Sequence, residues 1–217
     1  MNNMEQARYN MIEQQIRPWD VADAQVLSLL AIVKREQFVP AGRQSMAFMD
    51  MEIPLGFGTT MWQPKLEARV LHELKIKKNE RVLEVGTGSG YLTALLSRLA
   101  AQVASIEIVA ELSAQAAHNL AAQDFDNVQL EVADASKGWG SAHYDVIVLT
   151  GSVPVLPREF QQQLTVGGRL FAILGDAPAM QAKLITRLAN DVFESVTLFE
   201  TNVLPLQNAQ QPQRFVF

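Results

Sequence analysis

Three short stretches of the chain carry residues whose types and spacing suit chemistry. The first is Gly86-Thr87-Gly88-Ser89-Gly90, which follows the apolar Val82, Leu83 and Val85 and runs straight into Tyr91-Leu92. Glycines at the end of a buried strand let the backbone turn sharply, and they let a ligand reach main-chain N–H groups with no Cβ in the way. The second is Glu107, about 20 residues after the first glycine, where a carboxylate at the next strand end can accept two ribose hydroxyl protons. The third is Asp134, at the strand end after that.

A turn for an amino-acid moiety, an acid for a ribose and a polar group for an adenine amine describe S-adenosylmethionine better than a dinucleotide. The spacing is G-x-G-x-G, and the third glycine of the dinucleotide pattern would fall on the bulky Tyr91. A nicotinamide dehydrogenase is therefore disfavoured, and the missing Lys-Ser/Thr ending excludes a P-loop. Taken singly, the glycines could serve only a tight turn, Glu107 a solvated strand end and Asp134 a helix cap. In register they favour a cofactor site. Its expected members from these positions are Gly86, Thr87, Gly88, Ser89, Gly90, Glu107 and Asp134.

Composition removes other chemistries. The 217 residues include no cysteine, so disulfides, thiolate metal sites and cysteine nucleophiles are out. The three histidines, His72, His118 and His143, form no metal-binding pair, so no metal is expected. With 18 basic against 23 acidic residues the chain has no general attraction for phosphate backbones, and no nucleic-acid partner is expected. No apolar run reaches the roughly 18 residues of a membrane span, and the first 20 residues resemble neither a signal nor a transit peptide. A cytoplasmic protein without a membrane partner is the default expectation.

Periodicity supplies the elements that must position these groups. A short helix with Tyr9, Ile12 and Ile16 on one face ends at Arg17-Pro18, and a second carries Val26, Leu29, Leu30 and Val33, with Asp20 or Asp23 as N-cap. Residues 41–63 show no sustained period and read as a long loop, after which Pro64 opens a helix carrying Leu66, Val70, Leu71 and Leu74. Strands follow at 81–85, 103–107, 128–132, 144–150 and 169–174, with helices at 91–100, 110–122 and, more briefly, 157–164. This alternation predicts right-handed βαβ crossovers and a parallel sheet covered on both faces. Residues 181–189 fit helix or strand by period. Asn190-Asp191 and the apolar stretch to Leu206 favour an antiparallel hairpin closing the sheet, and Phe215–217 could pair as another strand.

The chain also resembles a known family. Residues 84–91, Glu-Val-Gly-Thr-Gly-Ser-Gly-Tyr, look like the first motif of protein-L-isoaspartate O-methyltransferases, a motif generic to class I methyltransferases. More specific are Met11-Ile12-Glu13-Gln14-Gln15-Ile16, Arg35-Glu36-Gln37-Phe38-Val39-Pro40 and Ile53-Pro54-Leu55-Gly56. Thr60, Gln63-Pro64, Tyr144-Asp145-Val146-Ile147-Val148, Gln163-Leu164 and Gly167-Gly168-Arg169-Leu170 extend the likeness over nearly the whole chain.

The resemblance implies an α/β, Rossmann-like class I methyltransferase fold: a mostly parallel seven-stranded sheet, a C-terminal antiparallel hairpin and an N-terminal helical extension. Residues 1–75 would form that extension with its acceptor loop, and 76–217 the S-adenosylmethionine-binding unit. It implies methyl transfer to the carboxylate of an isoaspartyl residue in damaged protein, by a monomer or homodimer. Residues 86–90 with Glu84 would hold the methionine moiety, Glu107 the ribose, and Asp134 with Ala135 the adenine, with Ile108 and Thr150 also at the cofactor. Thr60 and Trp62 would sit at the acceptor, in a wall formed by residues 54–64.

One departure is pronounced. The family's acceptor motif reads Thr-Ile-Ser-Gln-Pro, and here it is Thr60-Met61-Trp62-Gln63-Pro64. Trp62 puts a large indole, which donates but does not accept, where the family has a small hydroxyl. The family's Ala-Ala after the fourth strand is Gly151-Ser152, and its Pro-Val-Gly after the fifth is Ile173-Leu174-Gly175. The expectation is a divergent member with an intact cofactor site and an altered acceptor site. Two alternatives keep the fold: a small-molecule methyl acceptor, such as a corrinoid precursor or quinol stacked on Trp62, and a non-catalytic binding module.

Overall fold

In the computed structural model, which describes residues 3–212, Asp23 and not Asp20 starts the second helix. Its Oδ1 accepts the N–H groups of Gln25 at 2.8 Å and Val26 at 3.3 Å, while Asp20 lies in a left-handed turn with φ 59°. Helices α1 (Asn3–Met11) and α2 (Ala24–Ile32) lead the chain, and α3 (Pro64–Leu74) opens on its proline.

Two expectations for this lead segment need correction. The first helix passes at Ile12–Ile16 into a π-helical turn, which shifts its phase. Its buried face is Arg8, Met11, Ile12 and Ile16, and Tyr9 points outward, 54% exposed. Residues 41–63 are not without regular structure, because they contain the hairpin β1 (Ile53–Gly56) and β2 (Thr59–Met61). Its strands are only 4 and 3 residues long, too short to establish a period of two.

The alternating part follows the predicted order. Strands β3 (Arg81–Val85), β4 (Gln102–Glu107), β5 (Val128–Val132), β6 (Tyr144–Val153) and β7 (Leu164–Asp176) are joined by α4 (Tyr91–Leu99), α5 (Ala110–Ala121) and α6 (Arg158–Gln162). The segment between β5 and β6 has no helix. Residues 181–189 are strand, part of β8 (Ala179–Ala189), which returns through β9 (Val192–Thr201). The last strand stops well before Leu206, and Phe215–217 lie outside the described residues.

The seven strands lie in the order β5-β4-β3-β6-β7-β8-β9, with the first four pairings parallel and the last two antiparallel. Val85 at the end of β3 sits beside Ile106 of β4 and Leu149 of β6. Because the chain leaves β3 toward β4 and comes back on its other side as β6, the carboxyl ends of these strands form a topological switch point, where open α/β sheets bind ligands.

One core packs Leu30, Leu71, Leu74 and Leu95 from the helices onto Val82, Val103, Val148 and Phe171. The other packs Phe160, Trp139 and Leu206 against Leu83, Ile147 and Leu170 on the opposite face. Across the base of the sheet Arg169 forks onto Glu80 at 2.7 and 2.8 Å, and it also donates to the carbonyls of Leu74 and Lys75 where α3 ends. Among the described residues no helix is long and apolar enough to cross a membrane.

Candidate active site

The glycine turn is shaped by its neighbours. The Thr150 hydroxyl, on β6, donates to the carbonyls of Val85 and Gly86 at 2.8 and 2.7 Å, tying the end of β3 to the adjacent strand. Gly86 has φ 96°, and a Cβ there would overlap that hydroxyl. At Gly90, φ 82°, a Cβ would press within 3.1 Å of the Ala116 Cβ, so this glycine sets how closely α4 approaches α5. Between them the Gly88 N–H donates to Glu107 Oε2 at 2.8 Å, and the Val109 N–H donates to Oε1 at 3.0 Å. Both oxygens of Glu107 are thereby oriented, each with lone pairs to spare.

Behind the turn lies a buried polar chain. The Ser105 hydroxyl, 2.6 Å from both Thr87 Oγ1 and Glu84 Oε2, bridges the two, and Thr93 also donates to Glu84 Oε2. Oε1 of Glu84 is buried without a partner, and Glu84 lines the cleft. Burial pushes its carboxyl up to about 8, since an ionised carboxylate away from water is costly.

At the third strand end Asp134 forms a local turn and caps no helix. Oδ1 accepts the Ser136 N–H at 2.9 Å, and Oδ2 accepts the Asn208 side-chain amide at 2.8 Å. The Ser136 main-chain bond leads the effects that hold Asp134 below the usual carboxylate range. Asn208 belongs to a segment that crosses the strand ends: Ser152 donates to the Leu204 carbonyl and accepts from the Leu206 N–H, at 3.0 and 2.9 Å.

The opposite wall is the β1–β2 hairpin. Thr60 donates its hydroxyl to Glu52 at 2.9 Å. Trp62 is buried, with its ring edge-to-face on Phe171 at 6.3 Å between centroids. Its carbonyl accepts from Arg35, which is itself buried, pairs with Glu67 and donates to the Ala47 carbonyl at 2.9 Å. The Arg35 guanidinium also lies over the Tyr91 ring, 4.9 Å from its centroid. Burial pushes the Glu67 carboxyl upward, and the Arg35 charge beside it pulls the other way.

These walls enclose a cleft of about 980 Å³, counting its solvent-open mouth. Thr60, Trp62, Glu84, Gly86, Thr87, Gly88, Ser89, Glu107, Ile108, Asp134, Ala135 and Thr150 all line it. Gly90 does not. It stands behind the turn, against α5. The sequence reading missed Glu67 and residues 204–207, which also line the cleft. Glu67 sits in a helix whose other features are all those of a packed surface helix. Residues 204–207 take their place through contacts distant along the chain, with Ser152 more than 50 positions earlier and with Phe57. Among the described residues no cluster of three or more His, Asp or Glu side chains could hold a metal ion.

A mostly parallel seven-stranded sheet closed by antiparallel strands, with a glycine turn and acids at successive strand ends, defines a class I S-adenosylmethionine-dependent methyltransferase. The model for the protein-L-isoaspartate(D-aspartate) O-methyltransferase family matches residues 6–211, and the chain belongs to that family. A protein-L-isoaspartate O-methyltransferase 2 of Marinobacter nauticus is 39% identical over 201 residues, 92% of each chain. A protein-L-isoaspartate O-methyltransferase 1 of an Anaeromyxobacter species is 41% identical over 192 residues, 87% of this chain and 91% of the relative. Among solved structures, one described as a Plasmodium falciparum protein-L-isoaspartate O-methyltransferase in complex with S-adenosyl-L-homocysteine shares the fold. Its TM-score is 0.81 at 20% identity, with 95% of this chain and 99% of that one covered.

Proposed function

We propose that this chain transfers a methyl group from S-adenosylmethionine to the free carboxylate of an isoaspartyl residue in a damaged polypeptide. The observation that carries the reading is Glu107, fixed by the N–H groups of Gly88 and Val109 beside the glycine turn, with capacity left for two ribose hydroxyls. The residues present fit the cofactor. Glu84 Oε1, buried and unpartnered, suits an ammonium group, and Asp134 suits an adenine amine. Bound there, S-adenosylmethionine supplies a methyl group already activated on a sulfonium.

The chain's own residues then bind, orient and exclude water. A carboxylate acceptor with a pKa of about 4 is ionised at neutral pH, so no side chain has to take its proton. That agrees with a cleft in which, among the described residues, no histidine, lysine or arginine lines the walls. Leu55, Thr59, Thr60 and Trp62 line one wall of the cleft and would orient the acceptor there.

The test is a calorimetric titration with S-adenosylhomocysteine, followed by methylation of an isoaspartyl peptide against its aspartyl isomer. Absence of S-adenosylhomocysteine binding removes the reading at its base. Binding without isoaspartyl methylation moves it to a small-molecule acceptor, which Trp62 favours by placing an indole where the related motif has a serine. Trp62→Ser then separates the two, because isoaspartyl turnover that appears only in this variant identifies the indole as the obstacle.

A further inference from the structure

The tip of the β1–β2 hairpin breaks a local rule. Gly56 pairs with Thr59 across a two-residue loop, Phe57-Gly58, in which φ is 53° and 73°. Two successive positive φ values are the pattern of a type I′ turn, whose first central position favours Asn, Asp or Gly. A bulky phenylalanine is rarely held in the left-handed region. Its ring gains little from burial here, since Phe57 is 56% exposed. Local rules are broken without structural compensation mostly where a protein meets something else.

The surroundings say what that is. Leu55, two residues before this ring, and Gly58, next after it, both line the cleft, and so does Leu204, 43% exposed on the opposite wall. The Phe57 carbonyl accepts from the Gln207 amide of that same wall at 3.5 Å, so the tip stands at the mouth. A polypeptide whose reacting residue enters the cleft must carry its flanking residues across this rim. We propose that Phe57 is a docking residue for the acceptor polypeptide and favours chains with an apolar or aromatic side chain next to the isoaspartyl residue. This rests on the function proposed above. An aromatic ring offers a large contact area for few rotatable bonds, which suits a surface that must hold many different chains.

The test uses Phe57→Asn and Phe57→Tyr in the full chain, with two isoaspartyl peptides, one flanked by Phe or Leu and one by Gly. Asn is the residue the turn prefers, so the melting temperature of Phe57→Asn does not fall, and its affinity for S-adenosylhomocysteine stays within about twofold. Its KM for the apolar-flanked peptide rises roughly three- to tenfold, the scale of one aromatic contact, with kcat unchanged. Its KM for the Gly-flanked peptide does not move, and Phe57→Tyr restores the preference. An unchanged KM for the apolar-flanked peptide, or an equal rise for both, overturns the inference while leaving the proposed function standing. Failure of the unsubstituted chain to methylate either peptide while binding S-adenosylhomocysteine overturns that function and the inference with it.

Discussion

Arg35 donates from inside the core to the main-chain carbonyl of Trp62, holding the acceptor wall by its backbone. The same guanidinium pairs with Glu67 on α3 and lies over Tyr91, the first residue of α4, so one side chain joins the lead segment, the hairpin and the helix after the glycine turn. Removing one partner of a buried pair costs about 3 to 5 kcal/mol. Arg35→Met is expected to lose that much in urea unfolding, and Arg35→Met with Glu67→Leu to lose less. Equal losses in the single and double variants would mean that the two carbonyl contacts, and not the ion pair, carry the stability.

Glu84 predicts a pH dependence of known sign. Its folded pKa is raised from 4.5 to about 8, so the stability it contributes is complete below 4.5 and is lost as pH rises toward 8. Glu84→Gln removes this dependence, and the melting temperatures of variant and parent, followed from pH 5 to pH 9, should diverge in favour of the variant on the alkaline side. A cationic ligand group beside Glu84 favours its ionised form. S-adenosylmethionine binding near pH 7 therefore releases a proton, detectable by calorimetry in buffers of different ionisation enthalpy and lost in Glu84→Gln.

Glu107→Ala leaves the N–H groups of Gly88 and Val109 without their acceptor and removes the candidate ribose contact. Hydrogen bonds from hydroxyls to a charged carboxylate are worth about 1.5 to 3 kcal/mol each. The expected result is a loss of S-adenosylhomocysteine affinity of about a hundredfold or more by titration. Tight binding retained by this variant would place the ribose elsewhere.

At the base of the sheet, burial opposes ionisation of Glu80, but the Arg169 fork outweighs it and holds the carboxyl below its usual value of 4.5. The stability this pair contributes is present above pH 4.5 and is lost as pH falls through the lowered folded value. Glu80→Gln should be less stable at pH 7, by about 1.5 to 3 kcal/mol for the charged hydrogen bonds. Its deficit should shrink on acidification, read as converging unfolding midpoints at pH 7 and pH 3.

Much of this arrangement was legible in the sequence because it is local. The turn at 86–90 and Asp134 follow strands whose apolar positions mark where they end, Glu107 closes another, and Asp23 is one of the two N-cap positions the sequence offers. What stayed hidden depends on contacts distant along the chain. Tyr9 was misplaced because a π-helical turn rotates the helix below it, and β1 and β2 are too short to show a period. Glu67 acquires its place from Arg35, 32 residues away, and residues 204–207 from Ser152. Trp62 was noticed as a departure, but its burial against Phe171 belongs to the tertiary fold.

The segment that crosses the strand ends, with Asn208 on Asp134, gives the protein an order of assembly. During synthesis every strand among the described residues, the glycine turn and Glu107 emerge before residues 204–208 do. A nascent chain can thus pair those strands while the Asp134 side of the cleft still lacks a wall. Of the residues that line the cleft, those of this crossing segment are the last to be made.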